Sequence, residues 1–224
     1  MKKTKTRKKF NLLKFLIIAM VIYIIGFLVY SFFTFPIKNI RVYNSIILSD
    51  QEILRISKID DYPSFFLTSK SAIEKKLKNN DYIKDVIVRK KWLGVIEIEI
   101  IEKKILFFDI ASNKLVLEGN HKVDPINQSY PVLSDSLPTE IYLKFEKKME
   151  LLEEDVLFKI SEIKYVPNEV DEERFLFIMS DGNYVYLTLY TFDKVNKYNV
   201  IIESLEKKRG ILYLDSGNYF KVLD

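Results

Sequence analysis

The uncharged apolar run from Phe15 to Phe33 limits the folds open to this 224-residue chain more than any other feature. Its nineteen residues, at about 1.5 Å of helix rise each, nearly match the roughly 30 Å hydrocarbon core of a bilayer. Seven Lys or Arg residues and no Asp or Glu precede the run, and such flanks stay in the cytoplasm. The sequence therefore predicts a basic cytoplasmic tail at residues 1–14 and a transmembrane helix at residues 15–35, with the remainder exported.

A cleaved signal peptide is the alternative reading of this segment, since it too begins basic and then becomes apolar. The apolar region of a signal peptide is normally only about 7–15 residues long. The residues that follow the run, Ser31 to Pro36, lack a small-x-small cleavage site. Both observations favour a retained anchor over a cleaved leader.

The charge of the chain does not indicate a nucleic-acid partner. The formal net charge is +4, but seven of the 35 basic residues lie in the tail, so 28 basic residues face 31 acidic ones elsewhere. A nucleic-acid-binding domain is expected to carry a basic patch on its folded surface, and no such patch is evident in the sequence. We therefore predict no nucleic-acid binding.

Few residues are suited to chemistry. Cysteine is absent, and His121 is the only histidine, within a segment that we expect to be an exposed turn. Zinc sites usually need several Cys or His ligands, and neither glycine-rich nucleotide motif occurs. The carboxylates, such as Glu97 and Glu99 on one strand face, are expected to be solvated. We therefore predict no catalytic residue, no metal site and no cofactor.

The exported part begins with the pattern of a small α+β layer. Alternating residues after Ile37 indicate a strand, and Ser49–Glu52 has the sequence of a capping box, which predicts a helix over Asp50–Lys58. Ser71–Glu74 repeats that capping signature before a second short helix. Two further strands are predicted at Ile83–Lys91 and Val95–Glu102, joined by a turn at Leu93-Gly94.

Beyond Lys104 the chain becomes rich in short strands and turns. Apolar residues from Phe145 to Ile160 have helical spacing, and a second helix is predicted near Asp193–Lys208 with Gly210 as its C-terminal cap. Asp181-Gly182 predicts a hairpin with a type I′ turn. The predicted strands are Ile105–Ile110, Leu115–Leu117, Glu162–Val166, Arg174–Met179, Tyr184–Leu189, Ile211–Leu214 and Tyr219–Val222.

The features that remain favour a binding module. Fourteen Tyr and sixteen Phe are present, and Tyr184, Tyr186 and Tyr190 make one hairpin rich in tyrosine. Most of these rings are expected in the core or in cross-strand pairs. A terminal strand, however, is often an edge strand whose unpaired backbone groups a partner can extend.

Several segments, taken in order, resemble one known family. They are Ile37–Asn44, Ser49–Leu54, Leu77–Arg89 and Ile98–Lys103, followed by Pro131–Leu133, Asp181-Gly182 and Ile211–Asp215. The family is the bacterial cell-division family FtsQ, called DivIB in Gram-positive bacteria. The first four segments are similar to its polypeptide-transport-associated (POTRA) domain. The chain departs from the family at Tyr43, where glycine is common, and at Trp92, where proline is common.

The resemblance implies an α+β fold class: one transmembrane helix, a small βααββ POTRA-like domain at residues 36–104, and a mixed antiparallel β-rich domain at residues 105–224. It implies a non-enzymatic division scaffold at the septum, in the cell membrane with its N-terminus in the cytoplasm. The implied partners are FtsL- and FtsB/DivIC-like proteins and septal wall synthases. By position in the family, the partner-binding residues are expected to be Tyr213, Asp215, Gly217, Tyr219 and Phe220.

Two other classes remain open from the sequence. One is a POTRA-type accessory protein of envelope assembly or secretion that is not dedicated to division. The other is a membrane-anchored hydrolase that uses paired carboxylates. Fold alone does not choose among these classes.

Overall fold

The computed structural model describes residues 11–206 and 208–223. The chain divides into two compact units, Met1–Glu102 and Lys103–Asp224. The predicted basic tail at residues 1–14 lies outside the described residues except for its last four. The two units are called unit 1 and unit 2 below.

Unit 1 begins with a long apolar helix, α1, at Leu12–Thr34. The Asn11 side chain caps it by accepting a hydrogen bond from the Lys14 N–H at 3.3 Å. None of its 23 residues is buried inside the unit, and the helix is long and apolar enough to cross a membrane. The predicted apolar helix is therefore present, and its side chains are free to face lipid.

The rest of unit 1 has the predicted βααββ order. The elements are β1 at Asn39–Tyr43, α2 at Asp50–Ser57, α3 at Lys70–Lys78, β2 at Ile83–Lys91 and β3 at Val95–Glu102. Strand β3 lies in the centre of the sheet, parallel to β1 and antiparallel to β2. Ile53, Ile73 and Leu77 from the helices pack with Ile96, Ile98 and Ile100 from β3.

Local hydrogen bonds explain why the helices of unit 1 begin where they do. The capping box of α2 is confirmed, since Ser49 accepts from the Glu52 N–H and the Glu52 carboxylate accepts from the Ser49 N–H. The second predicted capping box is wrong. Ser69, not Ser71, precedes α3, and the Glu74 carboxylate accepts from the Val88 N–H on β2 at 3.0 Å instead. Glu74 thus holds α3 to the sheet.

Unit 2 contains one sheet and three α-helices among the described residues. The helices are α4 at Thr139–Glu150, α5 at Glu154–Leu157 and α6 at Tyr198–Ser204. The strands are β4 at Ile105–Asp109, β5 at Lys114–Leu117, β6 at His121–Val123, β7 at Val132–Leu133, β8 at Ile160–Tyr165, β9 at Arg174–Met179, β10 at Tyr184–Thr188, β11 at Gly210–Tyr213 and β12 at Tyr219–Val222. Their spatial order is β12-β11-β10-β9-β8-β7-β4-β5-β6, with parallel pairs at β4 and β7, β7 and β8, and β10 and β11. The predicted α+β class with a mixed sheet is confirmed.

One face of this sheet, the inner face, packs against the helices and forms the core of unit 2. Phe145 of α4 stacks on Phe175 of β9 at 4.8 Å between ring centroids, and Phe177 of the same strand lies 5.6 Å from the Phe192 ring. Tyr198 of α6 is fully buried, and its hydroxyl donates to the Asp181 carboxylate at 2.7 Å. Burial and this hydrogen bond raise the pKa of Tyr198. The phenol therefore stays protonated and ties α6 to the hairpin between β9 and β10.

Two turn and cap predictions for unit 2 are wrong. Gly210 does not cap a helix but begins β11, although the helix predicted near Asp193–Lys208 is present as a 3₁₀ segment at Phe192–Lys197 followed by α6. Gly182 has a positive φ of 86° but Asp181 does not, so the hairpin is not closed by a type I′ turn. The Gly182 N–H instead bonds the Met179 carbonyl, as in a type I turn with a following left-handed residue.

Two placements in unit 2 also differ from the sequence prediction. Ile160 begins β8 instead of extending a helix, because α5 ends at Leu157. His121 begins β6, where it pairs with Leu117, and is half-buried instead of lying in an exposed turn. The sequence around Ile160 and around His121 has no repeating pattern long enough to distinguish a strand from a helix or a turn.

Candidate partner-binding surface

The five residues predicted to bind partners lie at one edge of the unit 2 sheet. The chain leaves β10, crosses through α6 and returns as β11, parallel to β10. It then turns at residues 214–218 and runs back as β12, which pairs with β11 in register from Tyr219 opposite Tyr213 to Val222 opposite Gly210. Strand β12 is the last strand at this end of the sheet.

Three tyrosines form a continuous stack across this edge. The Tyr186 and Tyr213 rings lie 5.3 Å apart at 17°, and the Tyr213 and Tyr219 rings lie 4.6 Å apart at 14°. Their residues are direct neighbours on β10, β11 and β12, which places all three on the outer face. We call this set the tyrosine ladder. Tyr219, at the open end, is 50% exposed.

Tyr213 presents a neutral hydroxyl group within the tyrosine ladder. Burial, the neighbouring phenols Tyr219 and Tyr186, and the charge of Asp215 together raise the pKa of Tyr213. Tyr213 therefore remains protonated at neutral pH and can donate or accept a hydrogen bond. Aromatic rings with a polar tip are a common component of protein interfaces.

Asp215 supports this surface from within the molecule. Its carboxylate pairs with the Arg174 guanidinium, with 2.7 Å between Oδ2 and Nε, and its side chain is only 8% exposed. The same guanidinium lies over the Tyr186 ring at 4.0 Å from the centroid. The ion pair thus fixes the turn after β11 and the first ring of the tyrosine ladder.

Phe220 points to the opposite face from the tyrosine ladder. Its side chain packs against the unit 2 core and over Gly210 of β11. A Cβ atom at Gly210 would lie 2.3 Å from the Lys221 carbonyl oxygen and 2.5 Å from Phe220 Cζ. The missing side chain therefore lets β12 approach β11 closely.

Gly217 shapes the turn that connects the last two strands. Its φ of 112° lies in the region that favours glycine, and a Cβ there would meet no atom closer than the Tyr219 ring at 3.9 Å. The residue is exposed. Glycine is therefore needed at position 217 for its backbone conformation and not to leave room for a neighbouring atom.

The outer edge of β12 has no strand beside it among the described residues. The Leu223 N–H donates to the Arg209 carbonyl at 3.0 Å. Along a strand of an antiparallel pair, every second residue bonds the neighbouring strand through its N–H and C=O groups, and the residues between them point these groups away. This alternation directs the N–H and C=O groups of Tyr219 and Lys221 towards β11. Those of Phe220 and Val222 are left at the open edge.

Of the five sequence-predicted residues, only Tyr213 and Tyr219 are on the outer face. Tyr186 was not assigned to the site, although the alternation after Asp181-Gly182 places it on the same face as Tyr184. Neighbouring strands add further half-buried apolar side chains to this face, namely Leu176, Ile178, Tyr184 and Ile211. Arg174 could not be found from the sequence, because it reaches Asp215 across 41 positions.

The described residues contain no group of three or more His, Asp or Glu side chains that could hold a metal ion. Glu97 pairs with Lys91 and Arg41, and Glu99 pairs with Arg89 at 2.8 Å. These carboxylates belong to ion pairs on the surface of unit 1. Buried Glu146 has neither carboxylate oxygen hydrogen-bonded within the described part of the chain, and burial raises its pKa.

Comparison with known proteins first identifies the class of the domain in unit 1. A family model described as a POTRA domain of the FtsQ type matches residues 35–103. This range contains the whole βααββ arrangement from β1 to β3. Unit 1 therefore carries an FtsQ-type POTRA domain after its apolar helix.

Similarity over nearly the whole chain then identifies the relatives. The chain is 28% identical to cell division protein DivIB of Listeria monocytogenes, over 97% of this chain and 84% of the relative. It is 29% identical to DivIB of Bacillus cytotoxicus, over 93% of this chain and 86% of the relative. It is 28% identical to DivIB of Bacillus subtilis, over 98% of this chain and 88% of the relative. The POTRA match and these relatives confirm the predicted resemblance to the FtsQ/DivIB family.

A solved structure is also similar to part of the chain. It is the major extracytoplasmic domain of the trans isomer of the cell division protein DivIB from Geobacillus stearothermophilus. The identity is 23% and the TM-score is 0.37, over 48% of this chain and 97% of the solved chain.

Proposed function

We propose that this chain is a non-enzymatic scaffold of the cell-division complex. Its relatives are cell-division proteins, which supports a role in division. In this proposal, unit 2 binds the exported segments of FtsL- and FtsB/DivIC-like single-pass proteins and so helps to control septal wall synthesis. The residues proposed to form the surface are Tyr213, Asp215, Gly217, Tyr219 and Phe220.

The observation that carries this proposal is the open edge of β12 beside the tyrosine ladder. Unpaired backbone groups at an edge strand can accept an added strand, and aromatic side chains next to them can select its side chains. The five residues take different parts in this mode of binding. Tyr213 and Tyr219 contact the partner, whereas Asp215, Gly217 and Phe220 hold the last two strands in place.

The backbone part of the proposal is tested at Val222, whose N–H faces the open edge. Val222→Pro removes that donor. Because this N–H does not bond β11 and the Val222 side chain is exposed, the pairing between β11 and β12 should survive. Val222→Thr is the matched control, since it keeps the N–H and a β-branched side chain. We expect at least a tenfold loss of affinity for the purified partner segments with Val222→Pro and none with Val222→Thr.

The outcome that contradicts strand addition is Val222→Pro protein that is folded and binds like the wild type. Circular dichroism and the unfolding temperature report folding in the same samples. Deleting residues 216–224 is a coarser test and should abolish co-purification of the partners while unit 1 stays folded. Retained co-purification after that deletion would exclude the whole surface.

The membrane part of the proposal is a retained anchor with the N-terminus in the cytoplasm. Residues 1–14 form the tail and residues 15–35 the span, followed by a POTRA domain at residues 36–104 and a β domain at residues 105–224. N-terminal sequencing of the protein from membranes distinguishes this anchor from a cleaved leader. A mature protein that begins after Phe33 would contradict it.

Two experiments separate division from the other classes. We expect a fluorescent fusion of the full chain to be enriched at midcell, and uniform membrane label would favour a general role in envelope assembly or secretion. We expect the exported part to show no activity in a wall-digestion assay. Release of wall fragments would instead indicate an anchored hydrolase.

A further inference from the structure

Unit 1 exposes a group of large apolar side chains at the turn between β2 and β3. Trp92 is 93% exposed and Leu93 is 77% exposed. Phe66 and Leu67, from the segment before α3, are also exposed, and the Phe35 and Phe66 rings lie 5.6 Å apart. We call Phe35, Phe66, Leu67, Trp92 and Leu93 the aromatic patch. Contiguous exposed apolar surface of this kind usually marks a contact site.

The backbone of the turn presents these side chains outward. Leu93 and Gly94 have consecutive positive φ angles of 64° and 81°. The Gly94 carbonyl accepts a hydrogen bond from the Lys38 N–H at 2.8 Å, and a Cβ at Gly94 would lie 3.0 Å from the Phe35 ring. The turn is thus held against the residues that directly follow α1, and its tip projects away from the core.

The aromatic patch adjoins the end of the apolar helix. Helix α1 ends at Thr34, and the Phe32 ring on its last turn stacks on Phe66 at 4.2 Å and 17°. The Phe65 N–H donates to the Phe35 carbonyl at 2.8 Å, which joins the two segments directly. If α1 spans a bilayer, the patch therefore lies at the depth where the span leaves the hydrocarbon.

Lysines accompany the aromatic patch. Lys38 lies 5.2 Å from the Phe35 ring centroid, and Lys91 directly precedes Trp92. Lys90 lies over the Phe65 ring and donates to the Thr68 carbonyl at 2.9 Å. Burial and the charge of Lys70 lower the pKa of Lys90. Positive charge beside aromatic side chains is complementary to anionic lipid headgroups.

We propose that the aromatic patch docks onto the surface of the same membrane that α1 spans. Trp92 and Leu93 enter the interfacial region, and Lys38 and Lys70 face the lipid phosphates. Because α1 tethers the patch beside the bilayer, its effective concentration there is high, and a few apolar side chains suffice. The inference rests on the proposed membrane anchor, and its consequence is a POTRA domain held at the lipid surface.

The sequence provides a direct probe, because Trp92 is the only tryptophan in the chain. The full chain is reconstituted into phosphatidylglycerol vesicles with and without brominated acyl chains. We expect the emission of Trp92 to shift to the blue, to be quenched several-fold by the brominated lipid, and to resist quenching by aqueous acrylamide. The control is Trp92→Phe combined with Tyr190→Trp, because Tyr190 is 91% exposed in unit 2. We expect the relocated tryptophan to respond to acrylamide and not to the brominated lipid.

A second variant tests the contribution of the neighbouring apolar side chain. Leu93→Asp places a charge at the tip of the turn, and Asp tolerates a positive φ. We expect it to reduce the quenching of Trp92 by brominated lipid at least threefold. Unchanged quenching would contradict insertion of the turn.

Two other outcomes would overturn the inference, and both can be told apart from failure of the anchor. Flotation with the vesicles first shows whether the chain is anchored. If it floats and Trp92 is as open to acrylamide as the relocated tryptophan, the patch does not dock. If Trp92 resists acrylamide without being quenched by brominated lipid, a protein surface covers it instead.

Discussion

Replacing Gly210 with alanine should displace the last strand of unit 2. The new Cβ would lie 2.3 Å from the Lys221 carbonyl oxygen, and Cβ atoms essentially never approach another heavy atom within 3.0 Å. Strand β12 must therefore move by about 0.7 Å or more, because a backbone carbonyl cannot rotate out of the way. The contact with Phe220 Cζ, at 2.5 Å, disturbs the core anchor of the same strand.

The magnitude follows from two opposing effects. Glycine to alanine at a compatible site stabilises a protein by about 0.4–1 kcal/mol through the unfolded chain. Overpacking costs about 1–3 kcal/mol, and release of the Phe220 side chain adds up to about 2 kcal/mol. The clash prevails, so we expect Gly210→Ala to lower the free energy of unfolding by about 2 kcal/mol, or the unfolding temperature by roughly 8 °C.

Thermal unfolding of the full chain in detergent measures that loss, and hydrogen exchange with mass spectrometry locates it. We expect Gly210→Ala to accelerate hydrogen exchange more in residues 219–223 than in β8 or β9, and to weaken partner binding. Gly119→Ala is the matched control, because its φ of 77° makes alanine costly by about 1–2 kcal/mol while the nearest atom, on His121, lies 3.5 Å away. The reasoning is refuted if Gly210→Ala leaves the exchange of β12 and partner binding unchanged.

Three further predictions concern other contacts. Glu146→Gln should stabilise unit 2 at pH 7 by on the order of 1 kcal/mol, since a buried carboxylate without a hydrogen bond is removed. A raised pKa means that the folded state binds the proton more tightly, so wild-type stability should fall as the pH rises from about 4.3 through the folded pKa. Asp215→Asn should cost about 2 kcal/mol in urea unfolding, because Arg174 keeps a largely buried charge without its partner. Ser49→Ala should lower the stability of unit 1 by about 1 kcal/mol through loss of the α2 cap.

Each of these predictions has a distinct contradicting result. For Glu146→Gln it is an unchanged slope of unfolding free energy against pH between 4 and 8. For Asp215→Asn it is a stability equal to that of the wild type. For Ser49→Ala it is an unchanged unfolding temperature, with Ser69→Ala as a control that should have no effect because Ser69 makes no capping bond.

Elements governed by short-range hydrogen bonds and alternation were predictable from the sequence. The capping box at Ser49 and the strands Val95–Glu102 and Tyr219–Val222 lie where their patterns indicated. In each case the residues that decide the structure lie within a few positions of one another. The apolar helix was also predictable, because the composition of this one continuous segment requires a nonpolar environment.

Features that depend on distant contacts could not be predicted. Gly210 has the sequence context of a helix cap, but the nearness of Lys221 and Phe220, which explains the glycine, arises only when β12 folds back. Asp215 was expected at the partner surface, and its bond to Arg174 turns its carboxylate inward. Ser71 and Glu74 match a capping signature, yet the bond to Val88 on β2 takes Glu74 away from the helix terminus.

The central proposal is that β12 offers its open edge to another exported division protein. Its most direct test is a photo-cross-linking residue in place of Val222 in dividing cells, with the same residue in place of Val170, in the exposed loop between β8 and β9, as a control. We expect a cross-link to an FtsL- or DivIC-like protein from position 222 and none from position 170. No such product from position 222, in cells where the protein is present at its normal level and supports division, would contradict the proposal.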